Sequence, residues 1–203
     1  MIQFEEFTGG PLDTNAFLIH SPGGNILIDA PMGADRRFQN TEIHTLILTH
    51  GHFDHIADAA AIQSRHGCRV GFHPGTLPMV SDRNFFRKWG FELEVEPVAG
   101  ELMLAEPATL DSEGAHFHIL DVPGHCPGSI CLYIQKSGLL FGGDVLFRNG
   151  IGRWDLPGGD YELLVTGIRN KILVLPDSTR VLPGHGPETT VGTERKSNPW
   201  LQH

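Results

Sequence analysis

Apolar strand and helix segments that alternate along the chain predict an α/β protein, and two further features say how it is organised. A unit of strand, Gly-containing turn, strand and terminal aspartate occurs twice, ending at Asp29 and again at Asp144, an offset of about 115 residues. Two related halves, each contributing a sheet, are therefore expected. The other feature is a group of metal-binding side chains directly after an apolar run, which puts chemistry at a strand end.

The first unit comprises two short strands, Ala16-Phe-Leu-Ile and Asn25-Ile-Leu-Ile, joined by Ser21-Pro-Gly-Gly, a hairpin signal. A third apolar run, Thr45-Leu-Ile-Leu-Thr, leads into the metal-binding group. Residues 57–65, rich in Ala, Ile and Gln, predict a helix with Asp54 as candidate N-cap and Gly67 as stop, followed by a strand over 69–73. Residues 75–115 are the least regular part. Phe85, Phe86, Trp89 and Phe91 cluster there beside Arg83, Arg87 and Lys88, which suits a surface helix pinned by aromatics or a flap over substrate. The second unit is Ile130-Cys-Leu-Tyr-Ile, the turn Lys136-Ser-Gly and Leu139-Leu-Phe. Tyr161, Leu164, Val165, Ile168 and Ile172 then mark one face of a helix over 161–173.

The length of 203 residues suits one large domain, residues 1–203, with a full core. No apolar stretch is long enough to span a bilayer, and the start, Met1-Ile-Gln-Phe-Glu-Glu, has neither a basic n-region nor an h-region. Neither export nor membrane insertion is expected. A formal net charge of −9 argues against nucleic acid as the main partner, which would need basic patches. Cys68, Cys126 and Cys131 form no C-x-x-C pair and leave one odd residue, as expected for reduced thiols in a cytoplasmic protein.

His50, His52, Asp54 and His55 fall within the stretch Thr49-His-Gly-His-Phe-Asp-His. Packing does not explain four such groups at a strand end, because each brings polar atoms that must be paired. Imidazole is the commonest zinc ligand and carboxylate oxygen an acceptable companion. Two apart in extended chain, His50 and His52 point the same way and can converge on one ion. Asp54 and His55, where the helix begins, can address a second. His125 in Pro123-Gly-His-Cys-Pro-Gly, Asp144 in Gly142-Gly-Asp and His185 in Pro183-Gly-His-Gly-Pro sit in turns that let backbone approach an ion. Seven ligands from four loops suit two neighbouring ions once a shared carboxylate and a water are added. Cys126 should turn away from its neighbour His125 and pack as a buried thiol. His20, His44, His66, His73, His116, His118 and His203 are given no role.

The H-x-H-x-D-H motif at His50, His52, Asp54 and His55, followed in order by His125, Asp144 and His185, resembles that of the metallo-β-lactamase superfamily. The resemblance runs from about Leu12 to Leu201. It implies a four-layer αββα sandwich with the metal site at the strand ends on one edge. It also implies His50, His52 and His125 on a first ion, Asp54, His55 and His185 on a second, and Asp144 bridging the two.

Two such ions lower the pKa of a shared water, so that hydroxide is available near pH 7, and polarise a carbonyl for its attack. Asp54 would orient the hydroxide. Thiolate leaves with little acid assistance, so thioester hydrolysis is the least demanding reaction for a site without an obvious general acid. The segment from Gly143 to Asp155 resembles glyoxalase II, in which a basic residue lies near the glutathione glycine carboxylate; Arg153 occupies that position. A solvated or internally paired arginine is the alternative. The ending from Gly184 to Leu201 is similar to the short, single-domain hydroxyacylglutathione-hydrolase-like enzymes. Full-length glyoxalase II adds a helical C-terminal domain that supplies further basic contacts to glutathione, whereas 18 residues follow His185 in this sequence, and Asp155 stands where a tyrosine is used.

The expectation is a dinuclear hydrolase of thioesters, a glutathione thioester among the candidates, holding two divalent ions, zinc first and Fe or Mn next. Rivals are a persulfide dioxygenase with one iron and O₂, a lactone or ester hydrolase on the same site, and a metal-stabilised binding module. Imidazole and carboxylate serve iron as well as zinc, so the ligand types leave the first rival open.

Overall fold

The structure is a computed structural model and describes residues 2–202. Two six-stranded sheets carry the architecture. The first contains β1 (Gln3–Gly9), β2 (Thr14–Ser21), β3 (Gly24–Ile28), β4 (Thr45–Ile47), β5 (Arg69–Phe72) and β6 (Leu102–Met103), in that order. β1, β2 and β3 pair antiparallel, and β3 to β6 parallel. The second contains β7 (Thr109–Ser112), β8 (Ala115–Asp121), β9 (Ile130–Ile134) and β10 (Leu139–Gly143). After a two-stranded ribbon, β11 (Leu146–Phe147) and β12 (Gly150–Ile151), this sheet gains β13 (Arg180–Pro183), parallel to β10, and β14 (Thr189–Thr190).

The two expected halves are visible in the pairing. β1-β2-β3 run antiparallel and then meet a parallel β4, while β8-β9-β10 run antiparallel and then meet a parallel β13. Strand periodicity explains the layering. On β2, Phe17 and Ile19 enter the core between the sheets, where they meet Phe117, Leu132 and Phe141. Ala16 and Leu18, on the opposite face, pack with Phe38, Ala59 and Ile62 from the outer helices. On the far side, Cys131, Leu140 and Val181 meet Leu164, Ile168 and Val191. Three apolar layers separate four layers of secondary structure, the αββα sandwich.

Three local expectations need correction. The helix expected over 57–65 is α3 (Ala59–His66), which starts two residues later, and a separate short helix, α2 (Phe53–Ile56), precedes it after α1 (Ala34–Arg37). Asp54 lies inside α2 and caps nothing; its Oδ2 accepts the Thr14 hydroxyl at 2.7 Å. The break falls at Asp58, whose Oδ2 accepts the backbone N–H groups of Gly33 and Asp35. Gly67 ends α3 in the left-handed conformation as expected (φ 60°). β5 stops before His73 because that imidazole accepts the Gly75 N–H and starts a tight turn. Residues 161–173 form an α-helix, Tyr161–Gly167, capped by Asp160, and then a π-helical turn, Ile168–Ile172.

In residues 75–115 the aromatic cluster is a single 3₁₀ turn, Phe85–Trp89, rather than a surface helix. Phe86 is wholly buried and packs edge-on against Phe53, Phe85 and Trp89. That anchors Trp89 and Phe91 as a wall over one end of the sheets. Among the described residues no helix is long and apolar enough to cross a membrane. His203 lies outside the described residues.

Candidate metal centre

All seven expected side chains converge at one edge of the sandwich, where β4, β8, β10 and β13 end. Three groups of ligand atoms lie close enough to hold a cation: His50, His52 and His125; His50, His55 and Asp144; and Asp54, His55 and His185, each within 4.8 Å. The first and third are the two sets expected for separate ions, and Asp144 stands between them. Its Oδ2 lies 3.6 Å from His125 Nε2 and 3.4 Å from His185 Nε2, while Oδ1 lies 3.2 Å from His55 Nε2.

Backbone makes this crowding possible. A Cβ on Gly184 would sit 2.2 Å from Asp144 Oδ1, and one on Gly152 would sit 1.9 Å from the Asp144 carbonyl oxygen. Only glycine admits the two carrying loops so close to the centre.

Hydrogen bonds then aim the rings. His55 Nδ1 donates to Asp29 Oδ2 at 2.8 Å, His125 Nδ1 to the Arg153 carbonyl at 2.8 Å, and His185 Nδ1 to the Leu12 carbonyl at 3.0 Å. His50 Nδ1 lies 3.1 Å from Thr49 Oγ1, whose hydroxyl is turned onto Asp29. Fixing Nδ1 as the donor leaves each Nε2 lone pair facing the centre, as metal-ligating histidines require. Asp29 also accepts the Thr49 N–H, so one buried carboxylate orders two parts of the site.

The residues fit a cation on grounds internal to the structure. Nε2 of His50 and of His125 face each other at 3.3 Å, as do those of His55 and His185 at 3.4 Å. Two lone pairs, or two N–H groups, so placed repel each other, and a metal cation between the nitrogens removes the conflict. His52 Nε2 and Asp144 Oδ1 are buried without a hydrogen-bond partner among the described residues. Divalent ions held by these groups would satisfy these atoms.

Charge is unequal across the centre before any ion binds. Burial holds the His50, His52 and His125 imidazoles neutral, bringing His52 down to about 3. Burial also works against charge on His185, but hydrogen bonds to Asp144 and Asp54 outweigh it and raise that imidazole to about 10. Asp54 mirrors this: burial pushes its carboxyl up, and His185, the His55 charge and Thr14 bring it down to about 2.

A cavity of about 590 Å³ opens over the centre. Besides His52, Asp54, His125, Asp144 and His185 its lining is mostly apolar, with Leu12, Phe53, Trp89, Phe91 and Phe147 among the contributors. Arg153 also lines it, but its guanidinium forks onto Asp155 at 2.8 and 2.9 Å. Cys126 is buried, lies 3.6 Å from Met79 Sδ, and burial pushes its thiol up to about 12; it packs as expected and does not face the ligands.

The family model of the metallo-beta-lactamase superfamily matches residues 9–185, and the chain belongs to that superfamily. It is 36% identical over 200 residues to the hydroxyacylglutathione hydrolase GloC of Haemophilus influenzae (strain ATCC 51907 / DSM 11121 / KW20 / Rd), covering 92% of each chain. Its fold superposes on the structure of the BLEG-1 B3 metallo-beta-lactamase with a TM-score of 0.90 at 34% identity, covering 99% of this chain and 100% of that one. TTHA1623, solved in a di-iron-bound form, is similar with a TM-score of 0.86 at 36% identity, covering 97% and 100%. Family and cluster together make this a metal-dependent hydrolase with a site for divalent ions.

Proposed function

We propose that the protein, acting as one domain, hydrolyses thioesters at a dinuclear centre. His50, His52 and His125 would hold one ion and Asp54, His55 and His185 the other, with Asp144 available to both sets. The observation that carries this reading is the pair of complete ligand sets on either side of Asp144. A mononuclear site, as in a persulfide dioxygenase, would leave the second set unused.

Bound there, divalent ions supply Lewis acidity toward an acyl oxygen and a nucleophile from water near neutral pH. Asp54 orients that water by accepting its hydrogen bond, and Thr14 fixes the carboxylate for the task. Leu12, Trp89 and Phe91 keep bulk water from the acyl carbon. A C–O bond forms to the water oxygen, the C–S bond breaks, and the products are a carboxylic acid and a thiol. Among the described residues Arg153 is the one cation outside the ligand set that lines the cavity, and we assign it to a carboxylate of the departing thiol, which would have to displace Asp155. The likeness to GloC supports a glutathione thioester as substrate. Zinc is the first choice of metal, and the di-iron form of TTHA1623 supports iron as the next. Three buried free thiols suit the reducing cytoplasm.

Release of glutathione from S-lactoylglutathione, followed with zinc-loaded and iron-loaded protein, tests this reading. Turnover that disappears on chelation is expected. Oxygen uptake with glutathione persulfide by iron-loaded protein, without thioester turnover, would replace hydrolysis by oxidation.

A further inference from the structure

Beside the cavity over the metal centre lies a second groove of about 360 Å³. The two share Phe53 and Asp54 in their linings, so the groove lies directly against the reaction site. Pro11, Met32, Ala57, Leu93 and Val95 line it, and Met32 is 58% exposed, a large apolar side chain left in water next to the chemistry. One side is the extended segment 91–96, in which Leu93 and Val95 pack onto the core while Glu92, Glu94 and Glu96 stay exposed.

The polar groups of the groove are already engaged. Asp58 accepts two backbone N–H groups, Glu94 pairs with Arg83 and Arg87, and Glu96 pairs with Arg83. Among the described residues no Lys, Arg or His lines the groove. An anionic or strongly hydrogen-bonding group would find no donor there, whereas an alkyl chain would lose apolar surface to water-excluding neighbours. Arg153 lines only the first cavity.

Resting on the thioester reading, we infer that the substrate is bipartite: its thiol portion lies toward Arg153, and a straight, uncharged alkyl chain on the acyl side runs past Phe53 into the groove beside Met32. A short hydroxyacyl group such as lactoyl would leave that groove unfilled.

The test uses acetyl, butanoyl, hexanoyl and octanoyl thioesters, each made with glutathione and with N-acetylcysteamine, and metal-loaded protein. At half the free energy of full burial, each added CH₂ raises kcat/KM about twofold, so octanoyl should exceed acetyl on the order of sixtyfold. Met32→Glu should cut the octanoyl-to-acetyl ratio about tenfold, with either thiol. A flat series among thioesters that are all hydrolysed would overturn the groove assignment and leave the hydrolase standing. If no thioester is hydrolysed, the thioester reading is lost, and calorimetry with the S-octyl and S-ethyl thioethers of N-acetylcysteamine decides the groove. Tighter octyl binding that Met32→Glu weakens upholds the chain site; equal affinities reject it.

Discussion

The two ends of the metal centre, three histidines at one and two histidines with a carboxylate at the other, behave as opposites. His50, His52 and His125 are almost wholly buried and their imidazoles are neutral before any ion arrives. His185, at the other end, is 26% exposed in its side chain and shares a proton-rich network with Asp54, His55 and Asp144. One end offers three lone pairs that no proton competes for. The other is an ion-pair cluster that must release protons before it can bind metal. Two ligand sets a few ångströms apart should thus fill in order, with the buried histidines first and the carboxylate end second.

The largest effect should come from the group common to both. Asp144→Ala should lose both ions, and thioester turnover should fall by about three orders of magnitude or more. One ion retained by elemental analysis would show that the ends do not depend on a bridge. His185→Ala should keep about one ion per chain, held by the three neutral imidazoles, whereas His52→Ala should weaken the tighter site. Identical losses from the two variants would erase the distinction. Asp29→Asn removes the carboxylate that orients His55 directly and His50 through Thr49, and should cost about 10- to 100-fold in affinity at the second site, with a smaller loss at the first. A graded effect is expected with pH. His185 stays protonated up to about 10 and, despite burial, the neighbouring carboxylates hold His55 charged as well, so second-site affinity should rise with pH between 6 and 9, by up to about a hundredfold per unit if both protons are displaced. First-site affinity should stay nearly level over that range, since burial keeps those imidazoles deprotonated. Zinc-competition titrations at several pH values would read both slopes.

Much of the centre is legible in the sequence because its ligands come as short motifs in tight turns, whose spacing carries local geometry. Asp29 was half legible. The repeated hairpin marks it as the counterpart of Asp144, yet only the fold shows Asp144 facing the ligands and Asp29 behind His55. Thr14 has no motif at all; its contact with Asp54 spans forty positions and exists only once β2 lies beside the centre. Likewise, the aromatic composition of 85–91 is plain, but its place as a cavity wall depends on Phe86 finding the core and Phe53. The break between α2 and α3 escaped the helical pattern because Asp58 serves the N–H groups of Gly33 and Asp35, a tertiary demand. The charge of Arg153 is plain in the sequence, whereas its fork onto Asp155, two residues on, depends on the local backbone.

The most direct test of the account is a calorimetric zinc titration of metal-free protein at pH 7 in two buffers of different ionisation enthalpy. It should give two ions per chain, the first bound without proton release and the second with it. A single binding event, or equal proton release at both steps, would contradict the division of the centre into a neutral and an ion-paired end.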